Sequence, residues 1–144
     1  MRVVLDSNVW IDWLVFDDPA VAPLKAARDR STIEIAIDAP CLAELAAVLA
    51  YPEFKLDATA QAAKLADVLA IARRWHGTGL PAEPRLPRCT DADDQKFIDL
   101  AHASEASWLI TRDKALLQTG RRLQRSGIRV GTPVDWIAAT ATAA

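Results

Sequence analysis

Two periods of apolar and polar positions alternate along this chain, and the switches between them divide it into strands and helices. Arg2-Val3-Val4-Leu5-Asp6 sets three apolar residues, two of them β-branched, between a charge and an acid. An uninterrupted apolar run of this kind predicts a short strand buried on both faces. Asp6-Ser7-Asn8 is rich in helix-capping residues, and residues 9–14 read as a short, mostly apolar helix. Asp17-Asp18-Pro19 caps the next helix, which runs to about Asp29 with proline at its first position. Residues 33–37 alternate and are β-branched, which predicts a second strand. Pro40 opens a helix whose Leu42, Leu45, Val48 and Leu49 recur at three- and four-residue spacing, and Tyr51-Pro52 ends it.

Residues 58–75 predict a long amphipathic helix with Leu65, Val68, Leu69 and Ala72 on one face, stopped by Gly77 and Gly79. Residues 80–88 carry Pro81, Pro84 and Pro87 and read as an extended connector. Residues 91–103 form a helix with an acidic first turn, and residues 107–110 a strand. Two short helices follow, one with Leu116 and Leu117 and one over residues 121–126. Residues 128–130 are the last strand, and Pro133 begins a terminal helix through Trp136 and Ile137. Strands separated by helices imply βαβ units with right-handed crossovers. The expected fold is therefore α/β, a three-layer α/β/α arrangement around a mainly parallel sheet. The flanks of the connector are each too small for separate cores, so residues 1–137 are expected to form one domain. Residues 138–144 are low in complexity and are expected to fray.

Composition narrows the picture. The chain has 144 residues, half of them apolar, enough for a real core and too many for wholesale disorder. No apolar run approaches the roughly 20 residues that span a bilayer. A strand begins directly after Met1, which leaves no room for a signal peptide. Cys41 and Cys89, two and far apart, make neither a disulfide framework nor a metal knuckle, so a reducing cytoplasm is expected. A net charge of −2 argues against nonspecific coating of nucleic acid but allows a local basic patch.

The candidate chemistry lies in the acids. In open α/β sheets, ligands bind outside the carboxyl ends of the strands. Asp6 directly follows the first strand, and Asp113 follows the strand ending at Ile110 with two residues between. Glu44 lies one turn into the helix after the second strand, and its side chain leans back toward that helix's N-terminus. Asp94 sits in the first turn of its helix. Four acids from four distant segments are thus expected on one rim. Singly, Asp6 and Asp113 read as helix caps, the Asp91/Asp93/Asp94 cluster as favourable helix-dipole charge, and Glu44 as a solvated helix residue. Together they repel, and a bound cation relieves that repulsion. All-oxygen ligands suit Mg²⁺ or Mn²⁺, and such a site can polarise a phosphodiester and activate water. No His or Cys stands at these positions, which argues against zinc.

In Val4-Leu5-Asp6-Ser7-Asn8, Pro40-Cys41-Leu42-Ala43-Glu44-Leu45, Asp91-Ala92-Asp93-Asp94-Gln95-Lys96-Phe97-Ile98 and Leu109-Ile110-Thr111-Arg112-Asp113, the chain resembles the PIN domain family across about residues 2–137. That family comprises metal-dependent ribonucleases, including toxins of bacterial toxin–antitoxin pairs, and the D-x-D-D-x-x-F and T-x-D blocks look most like a toxin branch. The resemblance implies hydrolysis of RNA by metal-activated water, with Asp6, Glu44, Asp94 and Asp113 as catalytic residues holding one or two Mg²⁺ or Mn²⁺ ions. It implies that Asn8 and Thr111 orient Asp6 and Asp113. It further implies an antitoxin protein as partner and pairing of subunits into a homodimer through the region of Trp10 and Trp13, which themselves read either as core, like most of the five tryptophans, or as an apolar groove. One position departs from the pattern. Counted back from Asp113, many relatives place the third acid where this chain has Gln95, which cannot supply an anionic ligand. Asp94 is the expected substitute, with Asp91 and Asp93 in reserve, although a shift of one helix position turns a side chain by about 100°.

Arg112, Lys114, Arg121, Arg122 and Arg125 could contact RNA phosphates or simply form a solvated face. His76 and His102 are isolated and read as structural. The alternative to a ribonuclease is a fold that has lost its chemistry and binds RNA or protein without cutting. An acid-lined phosphatase ranks lower, because Asn8 stands where its common motif has a second aspartate.

Overall fold

In a computed structural model of the chain, which describes residues 1–76 and 92–141, five parallel strands form one sheet in the order β3-β2-β1-β4-β5. The strands are β1 (Arg2–Leu5), β2 (Glu34–Ile37), β3 (Arg73–Arg74), β4 (Trp108–Ile110) and β5 (Arg129–Gly131). Central β1 pairs Val3 with Ile35 of β2 on one side and with Trp108 of β4 on the other. Helices flank the sheet, giving the three layers that the alternation of patterns predicts. The apolar runs are buried because both faces of a parallel sheet are covered. Val3, Val4, Leu5, Ile35, Ile37, Leu109 and Ile110 are all at most 2% exposed.

The helices largely follow the sequence signals. They are α1 (Ser7–Ile11), α2 (Ala22–Asp29), α3 (Ala39–Leu49), α4 (Ala58–Ile71), α5 (Gln95–Ala103), α6 (Lys114–Leu117), α7 (Gly120–Gln124) and α8 (Pro133–Ala141). Asp38 caps α3 by accepting from the Cys41 N–H at 3.0 Å, and Asp57 caps α4 by accepting from Ala60 at 2.8 Å. Among the described residues, no helix is long and apolar enough to cross a membrane.

Three local differences have physical causes. The long helix expected to reach Trp75 stops at Ile71, and Arg73–Arg74 adds a strand to the free edge of β2. The Trp75 N–H then donates to the Ile37 carbonyl at 2.6 Å. An open sheet edge offers unsatisfied backbone groups, and pairing them outweighs a further turn of helix. The first helix is broken: α1 gives way to a π-helical turn, Asp12–Phe16, and Asp17 closes it with a left-handed φ of 48°. The terminal helix runs past Ile137 to Ala141, because alanine favours helix and Ala139 packs against the core. The proline-rich connector, Gly77, Gly79, Cys89 and Asp91 lie outside the described residues.

At the far edge, Gly131 is shaped by its neighbours. A Cβ there would stand 2.8 Å from Asp135 Cβ and 3.1 Å from Trp108 Cζ3. Its carbonyl accepts from the Thr111 N–H at 2.9 Å, which holds the segment leaving β4. Gly131→Ala is expected to destabilise the fold by about 1–3 kcal/mol through overpacking. Urea unfolding measures this, and an unchanged midpoint would show that α8 yields freely.

Candidate active site

The strand order makes a reversal between β1 and β4. From β1 the chain first builds outward through β2 and β3, then returns to the other side of β1 with β4. Helices on the two sides leave the sheet in opposite senses there, so the carboxyl ends of β1 and β4 border a crevice. Asp6 leaves β1 and Asp113 follows β4 at that place. The Asp6 N–H donates to the Ile110 carbonyl at 3.1 Å, so the sheet ladder itself sets Asp6 in position.

Asp6 is only 4% exposed, and both of its oxygens have partners. Oδ1 caps α1 by accepting from the Val9 N–H at 3.0 Å, and Oδ2 accepts from the Thr111 hydroxyl. The Thr111 oxygen in turn accepts from the Asp113 N–H at 2.9 Å. One fully buried hydroxyl therefore couples the exits of the two central strands. Asp113 caps α6, its Oδ1 accepting from Ala115 at 2.7 Å and Leu116 at 3.4 Å. Capping and convergence coexist here, since capping an N-terminus is what turns these carboxyls toward the rim.

Glu44 comes in from α3. Its Oε2 accepts from the Ser7 hydroxyl at 2.5 Å, and its Oε1 lies 3.4 Å from Lys96 Nζ of α5. Buried Cys41, three residues earlier, points its Sγ at the Lys96 carbonyl, 3.8 Å away, and this joins α3 to α5 beside the acid. Burial above all, with the nearby charges of Asp113 and Glu44, pushes the Asp6 carboxyl up to about 6 against the lowering effect of the Thr111 and Val9 hydrogen bonds. Glu44 and Asp113 thus both lie within electrostatic reach of Asp6.

Asp94 ends the 3-10 turn Ala92–Asp94 that opens α5 and is half-buried, two residues before Lys96; Asp93 is exposed. Gln95 is buried, and its Nε2 donates along the helix to Asp99 Oδ1 at 3.2 Å. As they stand, no three acidic, histidine or cysteine side chains among the described residues form a group that could hold a metal ion. The donors nevertheless fit a hard divalent cation. They are carboxylate oxygens, and one of them is buried at an energetic cost that a nearby positive charge would offset.

Several other residues depart from expectation. Arg112 pairs with Asp12, a buried carboxylate, and approaches Asp18 at 4.0 Å, so it braces the π-helical turn against the exit of β4. Trp10 is 1% exposed and belongs to the core. Trp13, 5.7 Å from it between ring centroids, is half-buried beneath Lys25. Asn8 is exposed. Ser7 and Lys96 carry no signal in the sequence, because a serine in a capping segment and a lysine in a helix are both ordinary. Only the fold sets them on Glu44.

The PIN domain model matches residues 2–115 of the chain. No curated protein and no solved structure matches it.

The raised Asp6 carboxyl has a definite consequence for the metal-free protein. Its folded value, about 6, lies above the ordinary 3.8. Its stability contribution is therefore full below pH 4 and is lost as pH rises through 6, about 3 kcal/mol in all. Asp6→Asn removes that loss. In chelator at pH 7.5 the variant is expected to unfold at higher urea than the wild type, and the gap should close toward pH 4. Parallel curves across that range would mean that Asp6 titrates as an ordinary carboxyl.

Proposed function

Because the chain belongs to the PIN domain family, we propose that it is a metal-dependent ribonuclease that hydrolyses RNA phosphodiester bonds at the Asp6 rim. The observation that carries this reading is the burial of Asp6 beside the charges of Glu44 and Asp113 at the reversal point of the sheet. A fold pays that electrostatic cost without return unless a cation or a reaction uses it.

Asp6, Glu44, Asp94 and Asp113 would hold one or two Mg²⁺ or Mn²⁺ ions. When bound, such an ion polarises a phosphoryl oxygen and lowers the pKa of water. The chain's own groups bind and orient. Thr111 fixes Asp6 Oδ2 and, through the Asp113 N–H, the start of the next acid-bearing turn. Ser7 fixes one oxygen of Glu44. The acids also act as a filter, since an anionic rim repels RNA phosphate until a cation offsets its charge.

The reading extends to partners. The protein would be the toxin of a toxin–antitoxin pair, acting in the cytoplasm as a homodimer and restrained by an antitoxin protein. Phe16 and Tyr51, 62% and 48% exposed, both pack against Phe54, with ring centroids 5.8 and 6.4 Å from it. Aromatic area of this kind anchors protein partners.

Gln95 favours a second reading, a PIN fold that binds RNA or protein without cutting it. Its buried amide stands where many relatives have an acid, and it is engaged with Asp99. Manganese separates the two. The wild type is expected to melt higher with Mn²⁺ and to cleave RNA. Asp113→Asn should lose at least about 100-fold in cleavage and most of the melting increment. A wild type that binds Mn²⁺ but leaves RNA intact would establish the binding module instead, and equal cleavage by Asp113→Asn would displace the reaction from this rim.

A further inference from the structure

Glu44 has no free oxygen. The Ser7 hydroxyl occupies Oε2 at 2.5 Å, and the Lys96 ammonium faces Oε1 at 3.4 Å. A divalent ion ligated by Oε1 would stand beside the Lys96 ammonium, which contends with it for that oxygen and repels it. Ser7 is 6% exposed on a short side chain at the start of α1, so burial confines its hydroxyl. Lys96 makes the longer contact, on a flexible stem whose side chain is 28% exposed. Lys96 is therefore the partner that can leave.

We infer that Lys96 is a resident counter-ion of the site: it holds Glu44 while no metal is bound, competes with the divalent ion for Oε1, and so sets the metal concentration at which the site fills. The inference rests on the ribonuclease reading and deepens it. Lys96 acts through Glu44, which makes it a positioning residue. Two effects point the same way. Before binding, the ammonium neutralises part of the Glu44 charge that would attract the ion. After binding, it remains on α5 beside the ion and repels it. The placement is secured from behind, because Cys41 Sγ meets the Lys96 carbonyl and locks the register of α5 against α3. The neighbouring position sharpens the effect. Gln95 supplies no negative charge to offset the positive charge of Lys96.

The test measures Mn²⁺ affinity of the full chain by electron paramagnetic resonance of the free ion, for wild type, Lys96→Met, Lys96→Gln and Lys96→Arg. Removing one positive charge beside a divalent ion is expected to tighten binding about tenfold in Lys96→Met. Lys96→Gln keeps a hydrogen-bond donor for Glu44 but no charge, so it should tighten binding similarly and serves if Lys96→Met folds poorly. Lys96→Arg restores the charge and should bind as the wild type does. Without metal, Lys96→Met should melt below the wild type, and its gain on adding Mn²⁺ should be the larger. Unchanged or weaker binding in both uncharged variants, with the wild type binding Mn²⁺, would overturn the inference and leave the ribonuclease reading standing. No Mn²⁺ binding by the wild type or any variant would overturn both.

Discussion

Keeping like charges together against their repulsion is the constraint on which this structure turns. Asp6 is almost wholly withdrawn from water, and two further carboxylates act on it. Desolvation and repulsion both oppose its ionised form. The fold answers with directed hydrogen bonds. The Val9 N–H and the Thr111 hydroxyl address one oxygen each, and Thr111 passes the constraint to the backbone of Asp113. The residual cost shows as a carboxyl raised to about 6. A rim arranged in this way is poised for positive charge.

That arrangement depends on the sheet. Parallel strands all deliver their carboxyl ends to one edge, and the reversal of chain order between β1 and β4 leaves that edge open where Asp6 and Asp113 emerge. The strands are short, so few ladder bonds fix them, and packing on both faces supplies the rest. Charged pairs then brace the loops around the rim. Arg112 anchors the π-helical turn through Asp12, and Lys96 ties α5 to Glu44 of α3. In both pairs the cation belongs to one segment and the acid to another, so the ion pairs set relative positions of elements more than they add stability.

How much of this was legible in the sequence depends on the range over which each signal acts. The apolar run at Val3-Val4-Leu5, the helical spacing of Leu42, Leu45 and Leu49, and the capping acids are local patterns, and local backbone preference and burial decide what they form. They sufficed for the alternation of elements and for the sheet class. Arg73–Arg74 was not legible. Two arginines at the end of a helical pattern have no strand signal, and only the exposed edge of β2 draws them into the sheet. Whether Trp10 joins the core or lines a groove was open in the sequence for a similar reason, and the fold buries it. Its exposure depends on how α1 packs against α3, and the first-helix pattern is apolar all round.

The sequence by itself determined which chemistry is available: carboxylates at strand exits, hydroxyls beside them, no histidine or cysteine among them, and a glutamine next to Asp94. The tertiary structure decided which of these groups meet. Ser7, Glu44 and Lys96 come from three segments, and Asp6 and Thr111 are separated by more than a hundred positions. Distances of that kind follow from strand order and helix packing, which arise from the whole pattern of burial and from no single stretch. Hydrogen bonds and charges act over a few ångströms in space, whereas the sequence records only neighbours along the chain.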